Sequence, residues 1–203
     1  MKSLSEIETV SKRASRAAGY SWGICEEVGK NIRLLEMFGL PGIKSLNDYF
    51  DKKKKQKFEN LKLINAENKS TKFQYCPIIS GTSLLDQIQS LSSLNEIKFE
   101  GIAYPLLFLP FVSRASEIIG KRLLLKLDSK EFLLNFNNNI FSNFINNEII
   151  IIANIVTIKL LENADPFSEK EWNQLYKLSE ETFVEESDSL KETAAGAGLT
   201  DND

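Results

Sequence analysis

The spacing of apolar residues changes part-way along this chain, and that change restricts the fold more than any other feature. Near the start, Leu4, Ile7, Val10, Ala14 and Ala18 recur every three or four positions, which gathers them on one face of an α-helix. Further on, Leu123, Leu125 and Leu127 alternate with Arg122 and Lys126. Beyond an Asp128-Ser129 turn, Phe132, Leu134 and Phe136 alternate again, as two antiparallel strands with one apolar face would. A helical run followed by a strand run predicts an α+β fold: an N-terminal helical hairpin packed on a mostly antiparallel sheet, then a C-terminal helix and a Gly-rich tail. With 203 residues, 42% of them hydrophobic and 26% charged, the chain is expected to close one domain. Its helical part spans about residues 1–60, its sheet-containing part about 73–184 and its tail 187–203.

Local signals sharpen the first part. Ser3 and Glu6 have capping-box spacing and open a helix over about residues 4–18, which Gly19 ends. Ser21 is placed to cap a second helix, whose apolar face is Trp22, Cys25, Val28, Ile32 and Leu35 and which stops at Gly39-Leu-Pro-Gly42. Gly23 and Gly29 inside that helix each cost ~1 kcal/mol relative to alanine. They predict a close neighbour, for which Ala14, Ala17 and Ala18 are the expected partners. Residues 45–50 end a short helix that runs into the lysines 52–55, a solvated face.

In the middle, Gly81-Thr82-Ser83 reads as the capped start of a short helix through Leu84, Leu85, Ile88 and Leu91, a turn able to receive an anion. Residues 97–104 read as a strand, and Pro105 opens a helix that lasts to Gly120, with Pro110 in conflict with that start. The Asn-rich residues 135–147 are expected to form a loop with a helical turn, and residues 148–161 a centrally buried strand. Phe167, Ser168, Glu171 and Trp172 predict a capping box and hydrophobic staple for the last helix, in which Trp172 is explained by packing.

Composition removes several chemistries. The chain has no histidine, so histidine-dependent triads are excluded and the commonest metal ligand is missing. Neither a G-x-G-x-x-G phrase, a P-loop nor an S-x-x-K motif occurs. Cys25 and Cys76 have no C-x-x-C spacing, which fits a reducing compartment. A net charge of -3 gives no general attraction to nucleic acid or an anionic membrane. The N-terminus lacks a basic and then apolar leader, and the longest nearly uncharged apolar stretch is residues 149–158, short of the ~20 needed to span a bilayer. A cytoplasmic protein with no nucleic-acid or membrane partner is expected.

Catalysis, if present, would rest on carboxylate, lysine, arginine, tyrosine or thiol. Glu26 and Glu27 are the candidate acid and base, although carboxylates in a first helical turn also favour the helix dipole. Arg13, Arg16 and Trp22 are candidate ligand-binding residues, joined by Gly196, Gly198 and Thr200 of the tail. Arg13 flanks the apolar stripe of the first helix, whereas Arg16 points nearly opposite. Asp201 and Asp203 offer oxygen ligands suited to magnesium or calcium.

The phrase Arg13-Ala-Ser-Arg16-Ala-Ala-Gly19-Tyr-Ser-Trp22-Gly23-Ile-Cys-Glu26-Glu27-Val-Gly29, the Gly39-Leu-Pro-Gly42 stop and the ending Gly196-Ala-Gly198-Leu-Thr-Asp-Asn-Asp203 resemble a bacterial family catalogued as Domain of Unknown Function 3726. The resemblance implies a bacterial cytoplasmic protein and supplies neither a substrate nor a cofactor. Two functions are then expected as alternatives. One is binding of a small anionic metabolite, with or without catalysis, at a corner formed by the N-terminal helices and the tail. The other is a non-catalytic accessory protein that forms a homodimer or another homo-oligomer.

Overall fold

A computed structural model describes residues 2–137, 139–144, 148–162 and 164–182. The chain is α+β, in two compact units, Met1–Asn163 and Ala164–Asp203. The first unit runs α1 (Leu4–Ala17), α2 (Trp22–Met37), α3 (Gly42–Lys53), β1 (Glu67–Lys69), α4 (Pro77–Leu91), β2 (Glu96–Ala103), a 3-10 turn (Pro105–Leu107), α5 (Leu109–Ile119), β3 (Arg122–Leu127), β4 (Lys130–Leu134), β5 (Ile140–Ser142) and β6 (Ile152–Leu161). The second carries α6 (Glu169–Glu180).

The six strands form one sheet in the order β1-β2-β6-β3-β4-β5. Every neighbouring pair is antiparallel except β1 with β2. The last strand in the chain is therefore central, its register running Phe99 opposite Val156 on one side and Leu125 opposite Ile158 on the other. It is buried on one face only, through Ala153, Val156 and Ile158, while Ile152 and Ile155 are exposed. The predicted hairpin forms as β3 and β4, turning at Asp128, which adopts φ 51°. Its buried residues are Leu123, Leu125, Leu127, Phe132 and Leu134, whereas Phe136 lies past the strand and is exposed. Instead of a helical turn, the described part of the Asn-rich stretch holds the edge strand β5.

Helices build outward from the buried face of this sheet. Helix α5 packs on β3 and β4, α4 packs on α5, α2 packs on both, and α1 packs on α2. The conflict at Pro110 resolves as a 3-10 turn opened by Pro105, followed by α5 with Pro110 in its first turn, where a missing N–H costs nothing.

Two helix readings need correction. Helix α4 begins at Pro77, capped by the Cys76 sulfur, which accepts from Ile79 N–H. Gly81-Thr82-Ser83 therefore lies inside the helix and offers no anion-binding turn. Gly81 faces Phe111 of α5: a Cβ built there would lie 2.2 Å from Phe111 Cδ2. Helix α1, for its part, does not turn its full apolar stripe inward. Ser11 and Ser15 are its buried residues, and Val10 is exposed. Small side chains let α1 approach Gly29, where a Cβ would sit 2.8 Å from the Glu8 carbonyl oxygen. The close neighbour of Gly29 is thus Glu8 and Lys12, not the alanine cluster, and Gly23 has nothing within 4 Å.

In the second unit, the Ser168–Glu171 capping box forms in full. Phe167 stacks on Trp172 with ring centroids 5.7 Å apart, and Trp172, Leu175, Tyr176 and Leu178 are all exposed.

A candidate binding site at the helix corner

Where α1 turns into α2, a cavity of about 500 Å³ opens between that corner, the C-terminal end of α3, residues 56–60 and the start of α4. A volume of this size suits a small ligand. Gly19 ends α1 with φ 93°, a left-handed conformation that glycine adopts without a Cβ clash. The reversal brings Tyr20 inward, where its hydroxyl lies 2.9 Å from that of Tyr49 on α3. The Tyr49 hydroxyl is in turn 3.0 Å from the sulfur of Cys76, and Tyr20 is 3.6 Å from the same sulfur. Three residues distant in sequence thus form one buried hydroxyl and thiol chain that lines the cavity.

Burial, which penalises the charged phenolate, pushes both Tyr20 and Tyr49 above the usual tyrosine range, and the neighbouring Cys76 adds to the shift. Both remain protonated near neutral pH and act there as hydroxyl donors and acceptors, not as bases. Lys53 and Lys57 line the opening together with Gln56 and Asn60. Lys53 Nζ donates to the Ala18 carbonyl at 2.9 Å and sits 4.2 Å from the centre of the Tyr20 ring. Its charge is held at the cavity by a helix-end carbonyl and an aromatic face. Amide, ammonium and hydroxyl donors around an otherwise apolar cavity favour an anionic group.

The supporting layer is tightly specified. Tyr49 packs edge-on against Tyr104, with centroids 5.5 Å apart, and also meets Phe58 and Phe50. Tyr104 is held at φ 46°, ψ 55°, a left-handed conformation costing a bulky residue ~1–3 kcal/mol and often retained at functional positions. Its hydroxyl donates to Asp48. The wall at residues 58–60 is fastened by Glu59. Its carboxylate accepts from the N–H groups of Thr71, Lys72 and Phe73 and from the Thr71 hydroxyl, and its carbonyl accepts from Cys76 N–H at 2.8 Å. The backbone donors of Lys72 and Phe73 hold this carboxyl at about 2, far below its ordinary value.

The residues singled out from sequence sit around this corner but do not line the cavity. Glu26 faces α1, where Lys12 Nζ donates to it at 2.7 Å, and that hydrogen bond lowers its pKa. Glu27 faces the other way, accepting from Arg114 on α5 and from Lys30 at 3.2 Å. The two carboxylates are thus ion-paired in opposite directions. Arg16 Nη1 donates to the Tyr20 carbonyl at 2.9 Å, and its guanidinium lies 5.3 Å from the centre of the exposed Trp22 ring. Arg13 is exposed. Gly196, Gly198, Thr200, Asp201 and Asp203 lie outside the described residues, and among the described residues no three histidine, cysteine or acidic side chains group to hold a metal. No helix among the described residues is long and apolar enough to cross a membrane.

Sequence reading missed Tyr20, Tyr49, Lys53 and Cys76 as a set. Cys76 before Pro77 was the available signal: a sulfur-bearing residue followed by proline has the pattern of a helix start.

A profile of the family described as "Protein of unknown function (DUF3726)" matches residues 2–75. No curated protein and no solved structure matches the chain.

Proposed function

We propose that this chain, which belongs to the DUF3726 family through residues 2–75, binds a small anionic metabolite in the corner cavity. The observation that carries the reading is the convergence of Lys53, Lys57 and the Tyr20–Tyr49–Cys76 chain on one cavity of ligand size. Every residue lining it except Cys76 and Ile79 falls inside the family-matched segment. The lysines supply charge, the tyrosine hydroxyls and the Gln56 and Asn60 amides supply direction, and Ile24, Phe58 and Ile79 supply an apolar wall. The reading extends to a bacterial cytoplasmic setting, with which the two free thiols are consistent.

Thermal unfolding of the full chain against a panel of phosphate- and carboxylate-bearing metabolites tests it. A ligand at about 100 times its Kd stabilises a fold by about 2.7 kcal/mol, which for a chain of this size raises Tm by roughly 5–10 °C. The rise should disappear in Lys53→Met. No response to any anion, or an equal response in Lys53→Met, would remove the basis of the proposal.

A second reading, self-association as a homodimer, is favoured by the exposed Trp172, Leu175, Tyr176 and Leu178 on one short helix. Sedimentation of the same samples distinguishes it: a dimer mass unaffected by ligand supports association without the metabolite.

A further inference from the structure

A second concavity, separate from the corner, runs between α2 and α5. It encloses about 580 Å³ and is lined on the α2 side by Lys30, Asn31 and Leu34, and on the α5 side by Pro110, Arg114, Glu117 and Ile118. Asn31 decides its interest. The residue is only 7% exposed, and its amide nitrogen, Nδ2, has no hydrogen-bond partner. Leaving a buried amide donor unpaired is unfavourable enough that native folds rarely tolerate it without a role.

Arg114, facing the same groove, is only partly engaged. Its Nη1 donates to Glu27, and no hydrogen bond from Nε or Nη2 is present among the described residues. A guanidinium presents a planar fork of donors matched to the two oxygens of a carboxylate. The remaining wall is apolar, through Leu34, Pro110 and Ile118. Lys30 and Arg114 are balanced in charge by Glu27 and Glu117, so the groove has no strong net field. Recognition there depends on directed hydrogen bonds and apolar contact.

We infer that the α2–α5 groove binds a small aliphatic carboxylate, its oxygens accepting from Arg114 and from the Asn31 amide and its hydrocarbon body lying on Leu34, Pro110 and Ile118. This site is independent of the corner cavity, and either can fail without the other.

The probe is 4-methylpentanoate, followed by amide chemical shifts of the full chain, with 4-methylpentan-1-ol as the uncharged control. The expected result is a saturable shift confined to α2 and α5 with a Kd of about 1 mM for a ligand of this size, and no saturation by the alcohol. Asn31→Leu should weaken binding at least tenfold. Should that variant fold poorly, Arg114→Gln, at a side chain 42% exposed, should weaken it similarly with the fold intact. Glu27→Gln, which frees Arg114 Nη1, should retain or strengthen binding. Lack of saturation by the carboxylate, equal binding of the alcohol, or undiminished binding in Asn31→Leu or Arg114→Gln would each overturn the assignment.

Discussion

Gly81→Ala sets two opposing effects against each other in a way the geometry decides. Within a helix, alanine is favoured over glycine by ~1 kcal/mol, so by propensity alone the substitution stabilises α4. The new Cβ, however, would stand 2.2, 2.4 and 2.7 Å from Cδ2, Cγ and Cε2 of Phe111. Non-bonded carbons prefer about 3.5 Å or more, so the shortest contact falls short by about 1.3 Å. Phe111 is fully buried, and the clash involves the root of its ring, so no swing into solvent relieves it. Helices α4 and α5 must separate, and overpacking of this kind costs about 3 kcal/mol at its usual upper range. The net expectation is a loss of about 2 kcal/mol, a Tm lower by roughly 4–8 °C for a chain of this size, measured by calorimetry and by urea unfolding at constant m-value. In a Phe111→Leu background the cost of Gly81→Ala should shrink by more than about 1 kcal/mol, since neighbouring sites couple. A Tm unchanged or raised by Gly81→Ala, or identical costs in the two backgrounds, would refute the argument that contact with Phe111 outweighs helix propensity.

Gly23→Ala carries the opposite sign, because the exposed Gly23 in α2 has open space around it: urea unfolding should show a gain of up to about 1 kcal/mol. Glu59 should make stability acid-sensitive in a defined window. Its folded-state value of about 2 lies below the ordinary 4.5, so its contribution is fully present above about pH 4.5 and is lost as pH falls through about 2; carboxyl NMR titration should locate the low value, and Glu59→Gln should show a shallower loss of urea stability across that window.

Periodicity and capping, which act within a few residues, were sufficient to reveal much of the fold. The 3.6-residue spacing and Gly19 read out the α1–α2 hairpin, strict alternation read out β3 and β4, and Ser168 with Glu171 read out the cap of α6. What failed did so where a distant partner intervened. Gly81 looks like a turn residue by itself, yet it is required inside α4 because Phe111 of α5 occupies the space of its side chain. Ser11 and Ser15 look solvent-facing, yet α1 buries them because close approach to Gly29 requires small side chains.

The cavity shows the same division. Sequence alone determined that no histidine chemistry is available and that the α1–α2 corner is distinctive, since both follow from residue identity and local spacing. Only the tertiary structure decided that Tyr20, Tyr49 and Cys76 share one hydrogen-bonded chain, and that Glu26 and Glu27 turn to different helices. Those facts depend on contacts across 27 to 87 positions of chain, which packing of the whole core sets and which local pattern does not encode.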